Sequence, residues 1–137
     1  MTERKLTRIT DGWRLPFGGL EVSQLRIDHT LTLRLGPDAW ITIETPAHLK
    51  RAGETLPSTA SPTHIDPGTQ NVGPALALFG ASLVSALAFD DGRLVLDFAG
   101  GARLLAGPDP DYEAWNVGDA EGLKIVSLPG GELAIWS

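Results

Sequence analysis

The side chains best suited to chemistry in this 137-residue chain are carboxylates, and they gather towards its end. Asp109, Asp111 and Glu113 alternate over five positions, and Asp119 and Glu121 follow on the next turn. Paired acids can run general acid-base chemistry or bind calcium. Each of these falls in or beside a turn, however, where Asp satisfies local backbone N–H groups, and the spacing of a calcium-binding loop is missing. They read instead as an acidic edge for protein binding, with plain solvation of the turns as the bland alternative.

Other chemistries find less support. His29, His48 and His64 show no ligand spacing, and the chain has no cysteine, which removes thiolate metal sites, disulfides and cysteine nucleophiles together. His29 falls in a hairpin turn and should be exposed. There is no Gly-x-Ser-x-Gly, no dinucleotide fingerprint and no phosphate loop with a following lysine. Ser23 and Ser85 lie where a strand breaks its alternation, which gives a small polar residue a local structural reason. No catalytic residue, metal or cofactor is expected. Trp40 completes the candidate set: it falls on the outward face of its strand, so it is either covered by the segment from Thr45 to Gly73 or open to a partner.

The charge of -6 is unevenly placed. Residues 1–70 hold eight basic and eight acidic side chains; the remainder holds three basic (Arg93, Arg103, Lys124) against nine acidic. Such a surface disfavours nucleic acid and anionic membrane and favours a basic partner. No run approaches the ~18 apolar residues of a membrane span, and no signal peptide is apparent.

The elements that must position these residues are short strands. Phe17-Gly-Gly-Leu-Glu-Val-Ser-Gln-Leu-Arg-Ile-Asp28 matches Phe79-Gly-Ala-Ser-Leu-Val-Ser-Ala-Leu-Ala-Phe-Asp90 at Phe, Gly, Val, Ser, Leu and Asp. This predicts internal repeats over about 17–44 and 79–107. In each copy the apolar alternation slips by one residue, after Val22 and after Val84, which predicts a β-bulge placing Val84, Leu87 and Phe89 on one side. Alternation then puts Leu31, Leu33, Leu35, Ala39, Ile41 and Ile43 inward in the first copy, and Leu94, Leu96, Phe98 and Leu104 in the second. Between the copies, Leu49–Leu56 suggests a weak hairpin and 57–73 a Pro/Ser/Thr-rich loop. Pro74 to Phe79 reads as one short helix, apolar throughout and so buried. Residues 1–12 read as a flexible tail or short edge strand, and 13–19 as an irregular lead-in that inserts Trp13, Leu15 and Phe17 into the core. The end reads as three antiparallel strands, Tyr112 to Val117, Leu123 to Leu128 and Glu132 to Trp136.

Tyr112-Glu-Ala-Trp115, then Leu128-Pro-Gly-Gly-Glu-Leu-Ala-Ile-Trp136, together with Pro74 to Phe79 and Asp90-Asp-Gly92, resembles a family of small uncharacterised actinobacterial proteins carrying a domain of unknown function. The likeness covers roughly residues 17–136. It implies a bacterial, intracellular setting and brings no catalytic residue. In charge and style such small acidic β proteins also resemble immunity proteins that neutralise toxins.

The expected fold is mainly β: a duplicated antiparallel unit forming a curved sheet, sandwich or partly open barrel in one domain over 13–137. The expected function is a non-enzymatic, cytoplasmic module presenting an acidic edge to a basic protein, as an immunity or regulatory protein does. A small-molecule binder or hydrolase with a pocket between the repeats, and a structural homodimer pairing edge strands, are the competing readings.

Overall fold

The computed structural model describes residues 5–50 and 63–137. They form thirteen strands in two antiparallel sheets. The first sheet holds β1 (Thr7–Ile9), β2 (Gly12–Arg14), β8 (Leu83–Phe89), β9 (Leu94–Phe98), β10 (Arg103–Ala106), β6 (Ala47–Lys50) and β7 (Thr63–Ile65), in that spatial order. The second runs β13 (Leu133–Trp136), β12 (Lys124–Ser127), β11 (Trp115–Asp119), β5 (Ala39–Ile43), β4 (Leu31–Leu35) and β3 (Val22–Ile27). Neither closes into a barrel.

Strict alternation explains the core. Leu31, Leu33 and Leu35 on β4, Ala39, Ile41 and Ile43 on β5, and Leu94, Leu96 and Phe98 on β9 are all buried in one cluster. Each such aliphatic side chain contributes about 1.5–3 kcal/mol by leaving water. Trp115 is completely buried among them. Its indole Nε1 donates to the carbonyl oxygen of Gly92 at 2.8 Å, and the Ser127 hydroxyl donates to the same oxygen at 3.2 Å. Two side chains of the second sheet thereby clamp the β8–β9 hairpin of the first.

Both three-stranded meanders, β3–β4–β5 and β8–β9–β10, carry a bulge at the same place in their ladders. Val22 pairs with Leu35, and the register shifts before Gln24 meets Arg34; Leu83 pairs with Phe98, and the register shifts before Ser85 meets Asp97. The extra residues are Ser23 and Val84. The Ser23 hydroxyl donates to the carbonyl oxygen of Gly36 at 2.7 Å, so its role is local.

This geometry corrects the residue matching read from sequence. Val22 corresponds to Leu83 and Leu25 to Ala86, one position away from the Val22/Val84 and Leu25/Leu87 match. Leu25 pairs with Leu33 and faces the core, whereas Leu87 pairs with Val95 on the outer face of its sheet. Phe17 is fully buried, but Phe79 is 63% exposed and Val84 is 61% exposed. The inward set of β8 is Leu83, Ala86 and Ala88. The coincidence of residue types was real, but side-chain period two turns a one-residue slip into an exchange of faces.

The short helix is also corrected. Gly73–Leu78 is a 3-10 turn, with Ala75, Phe79 and Ala81 each donating to the carbonyl three residues back. Pro74 supplies no N–H, and six residues are too few to repay helix nucleation. Nor is the segment buried throughout: Ala75 and Leu78 enter the core while Leu76 is exposed. Gly12–Arg14, expected as irregular lead-in, forms a strand against β8 and leaves Trp13 only half-buried. Thr7–Ile9 forms an edge strand on it. Within the expected 57–73 loop, Thr63–Ile65 pairs with β6 and Pro67–Thr69 makes another 3-10 turn. Residues 1–4, residues 57–62 and all of the Leu49–Leu56 hairpin beyond Lys50 lie outside the described residues. The three C-terminal strands are present, the first starting later than expected because Tyr112 and Glu113 stay in the preceding loop.

Trp115→Phe removes the buried N–H bond and leaves a small void, so it should cost about 2–3 kcal/mol in urea unfolding. Ser127→Ala should cost about 1 kcal/mol and leave the slope of the transition unchanged.

Candidate functional site

Strand direction sorts the carboxylates into two groups. β11 begins at Trp115, opposite Ile43, and ends at Asp119, opposite Ala39. Asp109, Asp111 and Glu113 therefore lie before one end of this strand, and Asp119 and Glu121 at the other. Five strand residues span roughly 17 Å, so the two groups do not form one continuous edge.

Their roles differ as well. Asp119 is buried, and its Oδ1 accepts from the backbone N–H groups of Glu121 at 2.9 Å and Leu123 at 3.1 Å. It holds its own turn. Asp109 does the same in the preceding loop, accepting from Asp111 N at 2.8 Å and Tyr112 N at 3.0 Å. Asp111, Glu113 and Glu121 are exposed, and between the first two stands Tyr112, 72% exposed.

Three turns meet at that end. Gly130 donates its N–H to the Asp109 carbonyl oxygen at 2.8 Å. Gly131, at φ 102°, lies so close to the 90–92 turn that a Cβ there would stand 2.3 Å from the Asp91 carbonyl oxygen. Glycine is required at 131 on both counts. The contact brings Asp91 and Glu132 beside the Asp109–Glu113 loop. Asp91 is engaged by Arg93 at 2.8 Å, and Asp90 by Arg8 through two bonds of 2.8 and 2.7 Å. Arg8 holds the Asp90 carboxyl below its usual range. These neighbours were not in the set read from sequence, because only the packing of distant turns joins them.

Beside Tyr112, a shallow recess is lined by His29, Thr30, Glu44, Thr45 and Glu113. Desolvation pushes the Glu44 carboxyl up; the Asn116 amide, donating to it at 3.4 Å, opposes this, and the charge of Glu113 adds to it. His29 is exposed as expected and meets the Gln70 amide at 3.3 Å.

Trp40 belongs to a different surface. It is 36% exposed on the outer face of the second sheet, with Gln24, Arg26, Thr32, Arg34 and Thr42 around a groove of about 470 Å³. Nothing from 45–50 or 63–73 lines this groove, and the rest of the segment that could cover Trp40 lies outside the described residues. The indole instead leans over Gly118, its partner on β11, where a Cβ would stand 2.6 Å from Trp40 Cζ2. The same row continues through Lys124 to Trp136, which is 54% exposed. Arg8, Arg93 and Arg103 are all paired with aspartates, but among the described residues Arg26 and Arg34 form no salt bridge. Arg34 donates to the Pro37 carbonyl oxygen at 2.6 Å. An acidic chain thus carries a locally cationic, aromatic sheet face, with Asp38 and Glu44 at its rim.

Among the described residues no hydrogen bond joins a serine to a histidine. A family model described as a family of unknown function, DUF6188, matches residues 13–137. The chain belongs to that family. No curated protein and no solved structure matches it. The matched DUF6188 region begins within β2 and takes in the tryptophan clamp, the acidic end and the Trp40 groove alike. Of the described residues, no helix is long and apolar enough to cross a membrane.

Folding transfers a proton to Glu44 between its ordinary value of 4.5 and its raised folded value. The group's contribution is therefore present below pH 4.5 and is lost as pH rises through the folded value. Glu44→Gln should gain in thermal midpoint over the parent between pH 4 and pH 7; a constant difference would refute the shift.

Proposed function

We propose that this protein is a non-enzymatic protein-binding module that presents one acidic end of its sandwich to a basic protein partner. The observation that carries this reading is Tyr112. A tyrosine 72% exposed between Asp111 and Glu113, on a loop braced by Asp109 and by the 129–131 turn, offers a rigid aromatic anchor inside a field of negative charge. Aromatic anchors dominate interface energies, and surrounding charge accelerates encounter with an oppositely charged surface. Glu132 extends the field. Asp119 and Glu121 belong to the opposite end and form no part of the proposed surface.

Neutralisation of a basic toxin, or regulation of a basic enzyme, would use such a surface. The reducing cytoplasm we propose for it suits a chain without cysteine. In the same spirit we read the two bulged meanders as copies of one ancestral unit, the copies differing by a one-residue slip in the strand before the hairpin.

A second reading rests on the Trp40 groove. Its volume falls in the range of small-ligand sites, and among the described residues Arg26 and Arg34 form no salt bridge, so a small organic anion with a flat face suits it.

The two readings separate by mutation. Co-purification of a basic partner should be lost in Tyr112→Ala combined with Asp111→Lys and Glu113→Lys, and should weaken steeply with salt. It should persist in Asp119→Asn with Glu121→Lys and in Trp40→Ala, after melts establish that each variant is folded. Asp109 is left intact because its loss would collapse the loop. Capture that survives the first variant and fails in Trp40→Ala would replace the acidic end with the groove.

A further inference from the structure

His48 and His64 lie sixteen positions apart, a spacing that signals nothing in the sequence. The pairing of β6 with β7 sets them directly opposite each other. Both are exposed, on the outer face of the first sheet, with ring centroids 5.3 Å apart and planes tilted by 57°. Directly opposed positions of an antiparallel pair hold their Cβ atoms about 4.5–5.5 Å apart, so these imidazoles are neighbours by construction of the ladder.

That spacing is close to a chelate spacing. Two imidazole nitrogens bound to one ion at about 2.0–2.1 Å each, at angles from about 90° to 109°, stand about 3.0–3.4 Å apart, with ring centres roughly 4.5–5.2 Å apart. The observed 5.3 Å lies just above this range, so chelation requires the two rings to rotate slightly towards each other. Neither ring takes part in a hydrogen bond among the described residues, so the ring nitrogens are available as ligands.

We propose that His48 and His64 form a bidentate site for a divalent transition metal that favours imidazole: Cu²⁺, Ni²⁺ or Zn²⁺. Among the described residues no group of three His, Cys, Asp or Glu side chains could hold a metal ion, so the described residues supply two ligands and the remaining positions are filled from elsewhere. Among the described residues no acceptor orients the outer ring nitrogens, and such support is worth about 10–100-fold in affinity. Lys50 and Arg103, paired together further along the same face, oppose a cation, while the net charge of -6 favours its approach. The site is accordingly exchangeable rather than structural, and a metal bound there leaves open positions at the sheet surface.

The test is calorimetric titration of the tag-free full chain with CuCl₂, NiCl₂ and ZnCl₂ at neutral pH, with MgCl₂ as control. One equivalent should bind, with no heat from magnesium. His48→Gln and His64→Gln should each weaken binding by at least ~10-fold with unchanged melting, and His29→Gln should leave it unaltered. On adding a trace of Ni²⁺, the imidazole proton signals of His48 and His64 should broaden together. Binding that survives either single substitution, broadening confined to one of the two rings, or no binding at all would overturn the proposal.

Discussion

The buried carbonyl oxygen of Gly92 joins the two sheets at one end, as the backbone bonds between Leu20–Val22 and Gly80–Leu83 do at the other. An unpaired carbonyl in this core would cost on the order of 1–3 kcal/mol. Here it accepts from both the Trp115 indole and the Ser127 hydroxyl. Apolar packing alone is non-directional and would tolerate sliding of one sheet over the other. The two bonds are directional, and they fix which turn of the first sheet meets which strands of the second. From this placement follows the meeting of the 90–92, 107–113 and 129–131 turns, with Gly131 pressed on the Asp91 backbone and Gly130 bonded to Asp109.

The distribution of charge has a related cause. Hairpin tips need side chains that accept from nearby backbone N–H groups, and aspartate does this at Asp28, Asp66, Asp109 and Asp119. Carboxylates therefore concentrate at strand ends whatever the function. What distinguishes the Tyr112 end is the surplus: Asp111, Glu113 and Glu132 are exposed, and among the described residues their carboxylates accept no hydrogen bond. On the sheet faces, by contrast, long cationic side chains stand over neighbouring strands, where their stems cover apolar surface. The groove around Trp40 is one outcome, and the Arg103–Asp97 pair on the other sheet is another.

Much of this architecture was legible because burial on one face imposes alternation. Leu31, Leu33, Leu35, Leu94, Leu96 and Phe98 point inward as their period requires, and Trp115 follows the same rule. Both bulges were announced by the slip after Val22 and near Val84. The residue correspondence between the meanders was misread, since identical residue types at a constant offset weigh heavily in a sequence, whereas the ladder responds only to which face each side chain occupies. Phe79 shows the consequence: it matches buried Phe17 by type and lies in water. The segment before it satisfied the composition of a helix, but its length and Pro74 left only a 3-10 turn.

The candidate sites were less legible for a physical reason. Composition and period specify strand, turn and buried face, because those depend on neighbours one to four residues away. That information established a mainly β chain with its core residues and an acidic second half. Which distant tips touch depends on non-local packing: it set Asp91 and Glu132 beside Tyr112, divided the five carboxylates between two ends of β11, and brought His48 opposite His64 across sixteen positions. Local patterns carry no term for that pairing, because its free energy arises only when the two sheets close on a shared interior.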